Sequence, residues 1–366
     1  MTIPMQTRKD ATDSAKANGL ALPVCPACGE PAEAGPLEVF QGISRYGCAR
    51  CDLHFWHPVI MPDGAWYEAA YQGRDRTAMP LEPGHRFFLA DSKAPNRGRL
   101  LDIGCGVGNF LAAARDAGFD VTGIEFDPSA VRFARDHYGL QRIFAISPED
   151  FRASHPDEKF EIVTFFEVLE HQKDPQRFLN IARECLAPGG FLALSVPNRE
   201  RWQKRADVLD FPPNHLTRWS PAALRRFLER NGFEILSLRQ EPLGILRAAH
   251  VLSSAWRTGL VTRVAGETPP TLSSLAVMSP EEVKQTVKRV EEEPRQHLAA
   301  RLARWKTSAM VPLAALILPY LRLRGYTGLY LYCLARIRQV TPATDMFEPR
   351  GHLLQKADGG QEKGVV

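Results

Sequence analysis

The sequence has no apolar run of about 18 residues, the length a bilayer-spanning helix needs. Charge of one sign is scarce as well. Lys and Arg number 46 against 42 Asp and Glu, a net +4 over 366 residues, which gives no argument for nucleic acid. Cysteine is sparse and odd in number, seven in all, and the polar first 20 residues lack the apolar stretch of a secretory signal. Together these argue against a disulfide framework and make a cytoplasmic location the expectation. Hydrophobic content of 44% and charged content of 24% are those of a soluble chain able to bury a sizeable core.

From Arg99 onward, short apolar runs of strand length alternate with helical stretches. The runs are Arg99–Ile103, Asp120–Ile124, Arg142–Ile146, Phe160–Phe166, Phe191–Val196 and Glu234–Gln240, with Gly328–Ile337 following much later. The helices between them begin at Asp127-Pro128, Asp174-Pro175 and Ser220-Pro221. Each pairs a capping side chain with proline at the first helical position, and helix breakers near Gly139, Pro188 and Gly232 end them. This rhythm predicts an α/β fold with an open, mostly parallel sheet and helices on both faces. Residues 242–325 lose the alternation and read as a helical insertion before the last strand.

Leu100–Phe110 (LLDIGCGVGNF) follows a strand and opens a helix. Glycines allow the backbone to turn tightly and a ligand to approach, and the helix N-terminus supplies N–H donors. A dinucleotide site needs Gly-x-Gly-x-x-Gly, whereas Gly104, Gly106 and Gly108 are spaced Gly-x-Gly-x-Gly. Asp102, two residues before the first glycine, would repel a pyrophosphate but suit the ammonium of a methionine moiety. Glu125 ends the next strand, 19 residues after Gly106, where an acid can accept hydrogen bonds from ribose hydroxyls.

These segments resemble class I S-adenosylmethionine (SAM)-dependent methyltransferases, over about 99–241 and 328–337. LLDIGCGVGNF resembles the family's first motif and VTGIEFDPSAVRFAR its second strand and helix. FEIVTFFEVLEHQKDPQRFL and LAPGGFLALSVPN resemble its fourth and fifth strand regions. NHLTRWSPAALRRFLERNGFEI is similar to the ubiquinone-type O-methyltransferase subgroup. The resemblance implies a Rossmann-like, seven-stranded sheet. It also implies that Gly104, Gly106 and Gly108 line SAM, that Asp102 orients its amino-acid end, and that Glu125 binds its ribose. Ser147, Pro148 and Glu149 would flank the adenine, and Phe166 and Glu167 would sit beside the methionine portion.

The acceptor is expected beyond the carboxyl ends of the strands, where Glu170-His171, Asn198 and Asn214-His215 map. Histidine titrates near neutral pH, so His171 and His215 are the candidate catalytic bases. The alternative for each is a structural hydrogen bond bracing a loop.

Cys25-x-x-Cys28 and Cys48-x-x-Cys51, 19 residues apart, have the spacing of a four-cysteine zinc ribbon with a closed, structural Zn2+. His54 and His57 read as surface residues rather than substitute ligands. Many methyltransferases carry such a ribbon, and some of them act on RNA. Residues 21–60, however, hold only Arg45 and Arg50 as strong bases against Glu30, Glu33, Glu38 and Asp52, so nucleic acid is disfavoured.

Met310–Leu321 (MVPLAALILPYL), flanked by Arg304, Lys306, Arg322 and Arg324, is too short to span a bilayer. It reads as a helix covering the sheet or the substrate pocket, or as a lid making peripheral contact with the inner membrane surface through 308–324. The expected organisation is a tail (1–20), a zinc ribbon (21–75), a linker (76–98), a SAM-binding core (99–241), a helical insertion (242–325), a last strand (326–340) and a tail (341–366). The expected activity is SAM-dependent methyl transfer to a small-molecule, lipid-linked or glycan acceptor, at oxygen. An RNA methyltransferase and a non-catalytic SAM-binding subunit are the alternatives.

Overall fold

The computed structural model describes residues 22–40, 42–60, 79–201, 211–260 and 307–338, with 254–260 described for the backbone alone. The two expected tails and the middle of the insertion, 261–306, lie outside these residues.

Seven strands form one sheet in the order β10-β11-β8-β7-β4-β5-β6. They are β4 (Gly98–Ile103), β5 (Phe119–Ile124), β6 (Ile143–Phe144), β7 (Phe160–Phe166), β8 (Leu186–Pro197), β10 (Phe233–Pro242) and β11 (Thr327–Ile337). The pairs among β4 to β8 are parallel, and β11 runs antiparallel between β8 and β10. This is the mixed α/β, mostly parallel sheet expected from the alternating runs. Side chains alternate across it. Leu101, Ile103, Val163, Phe165, Leu192 and Leu194 enter one core, while Leu100, Ile162, Phe166 and Ala193 enter the other.

The first face carries α4 (Pro148–Ser154), α5 (Pro175–Cys185) and α6 (Pro221–Arg230), through Phe151, Phe178, Leu179, Leu224 and Phe227. The second carries α1 (Pro83–Leu89), α2 (Asn109–Asp116) and α3 (Pro128–Tyr138), through Phe88, Phe110, Leu111 and Val131. The caps form as their chemistry dictates. Asp127, Ser147, Asp174 and Ser220 each accept a backbone N–H from the first turn, with proline at the start of each helix. Each such cap contributes about 1 kcal/mol.

Two boundaries differ from the sequence reading. The stretch read as a linker contains α1, whose Gly84 packs so closely that a Cβ there would stand 2.6 Å from Ser195 Oγ. The cysteine-bearing strands β1 (Glu38–Phe40), β2 (Ile43–Gly47) and β3 (His54–His57) do not form a separate bead. Their sheet is completed by β9 (Thr217–Arg218), and Cys25, Cys48, Cys51, Leu53 and Phe55 join the core beneath α6.

In the insertion, α7 (Ile245–Leu260) and α8 (Val311–Leu323) pack on each other around Leu243, Ala248, Ala249, Ala314 and Leu321. Among the described residues, the apolar stretch forms α8, which shares this small core with α7. Leu313, Leu316, Tyr320 and Leu323 form an outward stripe, 47%, 79%, 58% and 88% exposed. No described helix is long and apolar enough to cross a membrane.

Candidate functional site

The turn from β4 into α2 uses three left-handed glycines, with φ of 77° at Gly104, 54° at Gly106 and 79° at Gly108. Two of them are glycine because neighbours leave no room. A Cβ at Gly104 would meet Val168, and one at Gly108 would meet Ala134 and Leu140. Gly106 differs in that a Cβ there would meet nothing within 4 Å, so its backbone faces open space. Its N–H donates to Glu125 Oε2 at 2.8 Å, while Glu125 Oε1 accepts from the Phe126 and Asp127 N–H groups at 2.7 and 2.9 Å. The carboxylate at the end of β5 is thus fixed against the loop, and the side chain of Phe126 beside it is 63% exposed.

Asp102 lies one strand inward, 2% exposed, and its Oδ1 accepts from the Thr164 hydroxyl at 2.6 Å. Burial pushes its carboxyl up to about 8, helped by the charges of Glu125 and Glu82. A carboxyl in that condition favours an incoming ammonium, which offsets the burial of its charge.

Ser147, Pro148 and Glu149, expected beside the adenine, are engaged in capping. The Ser147 Oγ donates to Asp150 Oδ2 and accepts from the Asp150 N–H, Pro148 starts α4, and Glu149 Oε1 lies 3.6 Å from Arg177 Nε. Phe166 is buried between Phe110 and His85, with ring centroids 4.9 Å from each. His85 on α1 accepts the Glu82 backbone N–H at Nδ1 and stacks on Phe110. Burial pushes it down to about 4.

Glu167 follows β7 in a left-handed conformation, φ 55°, uncommon for a residue with a side chain. Its N–H donates to the Ser195 carbonyl, and its Oε1 accepts from Ser195 Oγ at 2.7 Å. Burial, and then the neighbouring Glu170 and Glu82, raise it well above the usual carboxylate range.

The short 3-10 turn Leu169–His171 brings Glu170 and His171 against His215. His171 Nδ1 donates to the Asn214 carbonyl at 2.5 Å, which leaves its Nε2 to face Glu170 Oε1 at 3.8 Å. His215 Nε2 stands 3.9 Å from the same oxygen, and the two imidazoles meet edge to face with centroids 4.9 Å apart. The Leu216 N–H donates to the Glu170 carbonyl, tying the turn to the loop that carries His215. Burial pushes Glu170 up to about 8 and His171 down to about 3. In that state His171 alone is a weak base, and Glu170 is the neighbour that any account of either histidine must include. Asn198 is fully buried and donates to Gln240 Oε1 and Thr327 Oγ1, so it braces β8 against β10 and β11 rather than facing an acceptor.

The four N-terminal thiols converge. Cys25 to Cys51 is 3.8 Å, Cys28 to Cys48 is 3.5 Å and Cys48 to Cys51 is 3.7 Å between sulfurs. Four sulfurs bound to one Zn2+ at about 2.3 Å in a tetrahedron stand about 3.8 Å apart, so the cluster fits that ion. Each Cys-x-x-Cys turn is followed by a left-handed residue, Gly29 (φ 74°) or Asp52 (φ 60°). Neither nearby histidine joins. His54 Nδ1 accepts from Arg45 at 2.6 Å and is half-buried rather than at the surface, and His57 is exposed. The cluster is clamped to the larger sheet. Asp52 takes a two-pronged ion pair from Arg199, 2.8 Å to each oxygen, and a bond from Ser220 Oγ. Arg230 reaches Cys51 Sγ at 3.5 Å and the Ala27 carbonyl.

Sequence reasoning missed Glu82, Gly84 and His85 because a Pro-Gly pair reads as a loop, and Thr164 and Ser195 because they lie inside apolar strands. Glu170 stands beside His171 in the sequence, but no local pattern assigns it a role.

Residues 72–238 match the family model described as a methyltransferase domain, a span that takes in α1. The ubiquinone biosynthesis O-methyltransferase of Thiobacillus denitrificans is 36% identical over 124 residues, 31% of this chain and 51% of that protein. The protein of the same name from Xanthomonas campestris pv. campestris is 35% identical over 138 residues, 37% of this chain and 56% of that protein. This chain therefore spans about half the length of the curated relatives it matches. The crystal structure of a SAM-dependent methyltransferase from Archaeoglobus fulgidus aligns over 74% of this chain and 97% of its own, at 16% identity and a TM-score of 0.39.

Proposed function

We propose that the methyltransferase domain formed by residues 72–238 transfers a methyl group from SAM to an oxygen of a small or lipid-linked acceptor. The observation that carries this reading is the Gly106–Glu125 arrangement: an open backbone at the glycine loop with a carboxylate locked beside it at 2.8 Å. SAM supplies an electrophilic methyl on a sulfonium. The chain's part is to hold donor and acceptor in attack geometry and to exclude water. Gly104, Gly106 and Gly108 line the cofactor, Glu125 accepts from its ribose, and Asp102 takes its ammonium. Ser147, Pro148 and Glu149 edge the adenine, while Phe166 and Glu167 close the methionine end. Glu170, His171 and His215 activate the acceptor hydroxyl, and the four cysteines hold a structural Zn2+.

Oxygen as the target is supported by the likeness to the two ubiquinone biosynthesis O-methyltransferases. A lipid-linked acceptor, and a peripheral position at a membrane surface, are supported by the exposed stripe Leu313–Leu316–Tyr320–Leu323 beside Arg324. The test is transfer of labelled methyl from SAM to hydroxyl-bearing small molecules and extracted lipid, with SAM binding measured separately. His171→Ala and His215→Ala are expected to lower turnover by about 100-fold or more while SAM binds normally. Undiminished turnover in both variants contradicts the assignment.

A further inference from the structure

We infer, on the SAM reading above, that Glu82 on the strap entering α1 distinguishes SAM from its demethylated product by the positive charge on sulfur. Residues 79–85 are pinned across the start of the glycine turn's helix. The side-chain amide of Asn109, the first residue of α2, donates to the Met79 and Pro80 carbonyls at 3.2 Å each. His85 stacks on Phe110, the next residue of α2, and meets Phe166 at the end of β7 edge to face. Gly84 lies against Ser195 and Phe166, and Ser195 Oγ in turn donates to Glu167. One end of the strap is therefore tied to the glycine turn and the other to the strand ends beside Glu167. Glu82 stands between those ties, its N–H donated to His85 Nδ1.

The charge of Glu82 is felt on both sides. It raises the carboxyl of Asp102, where the methionine ammonium is proposed to bind. It also raises Glu167 and Glu170, on the side proposed for the acceptor, and the phenol of Tyr330. In methyl transfer the sulfonium lies between the amino-acid end of the donor and the acceptor, which is the space these four groups bracket. Glu82 is half-buried, and burial raises its own carboxyl above the usual range. Among the described residues Arg86 is the one cation that offsets this, and it is exposed and donates to the Leu81 carbonyl. A carboxylate so placed gains from a fixed positive charge nearby.

That charge separates the task of Glu82 from that of Asp102. SAM and S-adenosylhomocysteine carry the same ammonium, so a carboxylate facing the ammonium holds both alike. Only SAM carries the sulfonium. Transfer of the methyl removes the charge on sulfur, so a carboxylate facing it holds the donor and loosens its grip on the product.

Binding alone tests this, with no acceptor present. Titration calorimetry gives the affinities of the full chain for SAM and for S-adenosylhomocysteine. Glu82→Gln keeps the size of the side chain and an acceptor oxygen but removes the charge. It is expected to weaken SAM about tenfold and S-adenosylhomocysteine about twofold at most, so the preference for SAM falls by at least about fivefold. Asn109→Ala, which unties the strap and changes no charge, is expected to weaken both ligands by the same factor. Equal losses for both ligands in Glu82→Gln would reduce Glu82 to a brace for the strap and overturn the inference, as would no change in either. A wild-type chain that binds neither ligand would overturn the SAM reading itself, and this assignment with it.

Discussion

The four-cysteine cluster and the Glu170–His171–His215 cluster are linked through the β3–β9 pairing, yet they are built from opposite materials. The first uses four soft thiols from two short turns, spaced as a Zn2+ tetrahedron would space them. The second brings a carboxylate and two imidazoles together from two distant segments. Four thiolates around one Zn2+ would make a closed, structural site. Their connection gives the ribbon a function that its composition does not announce. By pairing β3 with β9 and clamping Asp52 to Arg199 and Ser220, it fixes the loop that delivers His215.

The largest expected effect breaks the first cluster. Cys48→Ser together with Cys51→Ser should unfold the segment 22–60, because the proposed structural zinc would contribute about 10 kcal/mol or more, as in small zinc modules. Limited proteolysis should then cut within residues 22–60, and acceptor turnover should fall although no acceptor-site residue has changed. A ribbon lost with turnover intact would show that the two clusters are independent. Next in size is Glu125→Ala, which removes the carboxylate proposed to accept from the SAM ribose. SAM affinity by calorimetry should fall about 10- to 100-fold, or about 1.4–2.8 kcal/mol. Asp52→Asn keeps a residue that tolerates left-handed backbone but removes the charge from the clamp. A loss of about 1 kcal/mol in thermal unfolding is expected, with a rise in acceptor KM and little change for SAM. The smallest effect on stability, within about 0.5 kcal/mol, is expected for Leu316→Ser with Leu323→Ser, which alter only the exposed stripe. Flotation with anionic liposomes should nevertheless decline, and unchanged flotation would remove the membrane reading of α8.

The two clusters also show what a sequence displays. Cys25, Cys28, Cys48 and Cys51 are legible because each pair is local and the spacing is itself the geometry. The capped helices and the left-handed glycine turn are legible for the same reason, since each lies within one turn of the chain. Glu170 and His215 are 45 positions apart in the chain and are joined by a fold-level contact that no period or spacing encodes. The two-residue strand β9 is invisible for the same cause, as its pairing partner lies in another segment. Helix α1 was hidden by Pro83-Gly84, which looks like a turn. The glycine is there because the helix lies against Ser195, not because the chain bends.

The most direct test of the central claim is incubation of the full chain with methyl-labelled SAM and fractionated cell extract. Label is expected in small molecules or organic-extractable lipid, lost with Glu125→Ala and reduced with His171→Ala. Label confined to RNA or protein, or no transfer from a chain that binds SAM normally, would contradict the account.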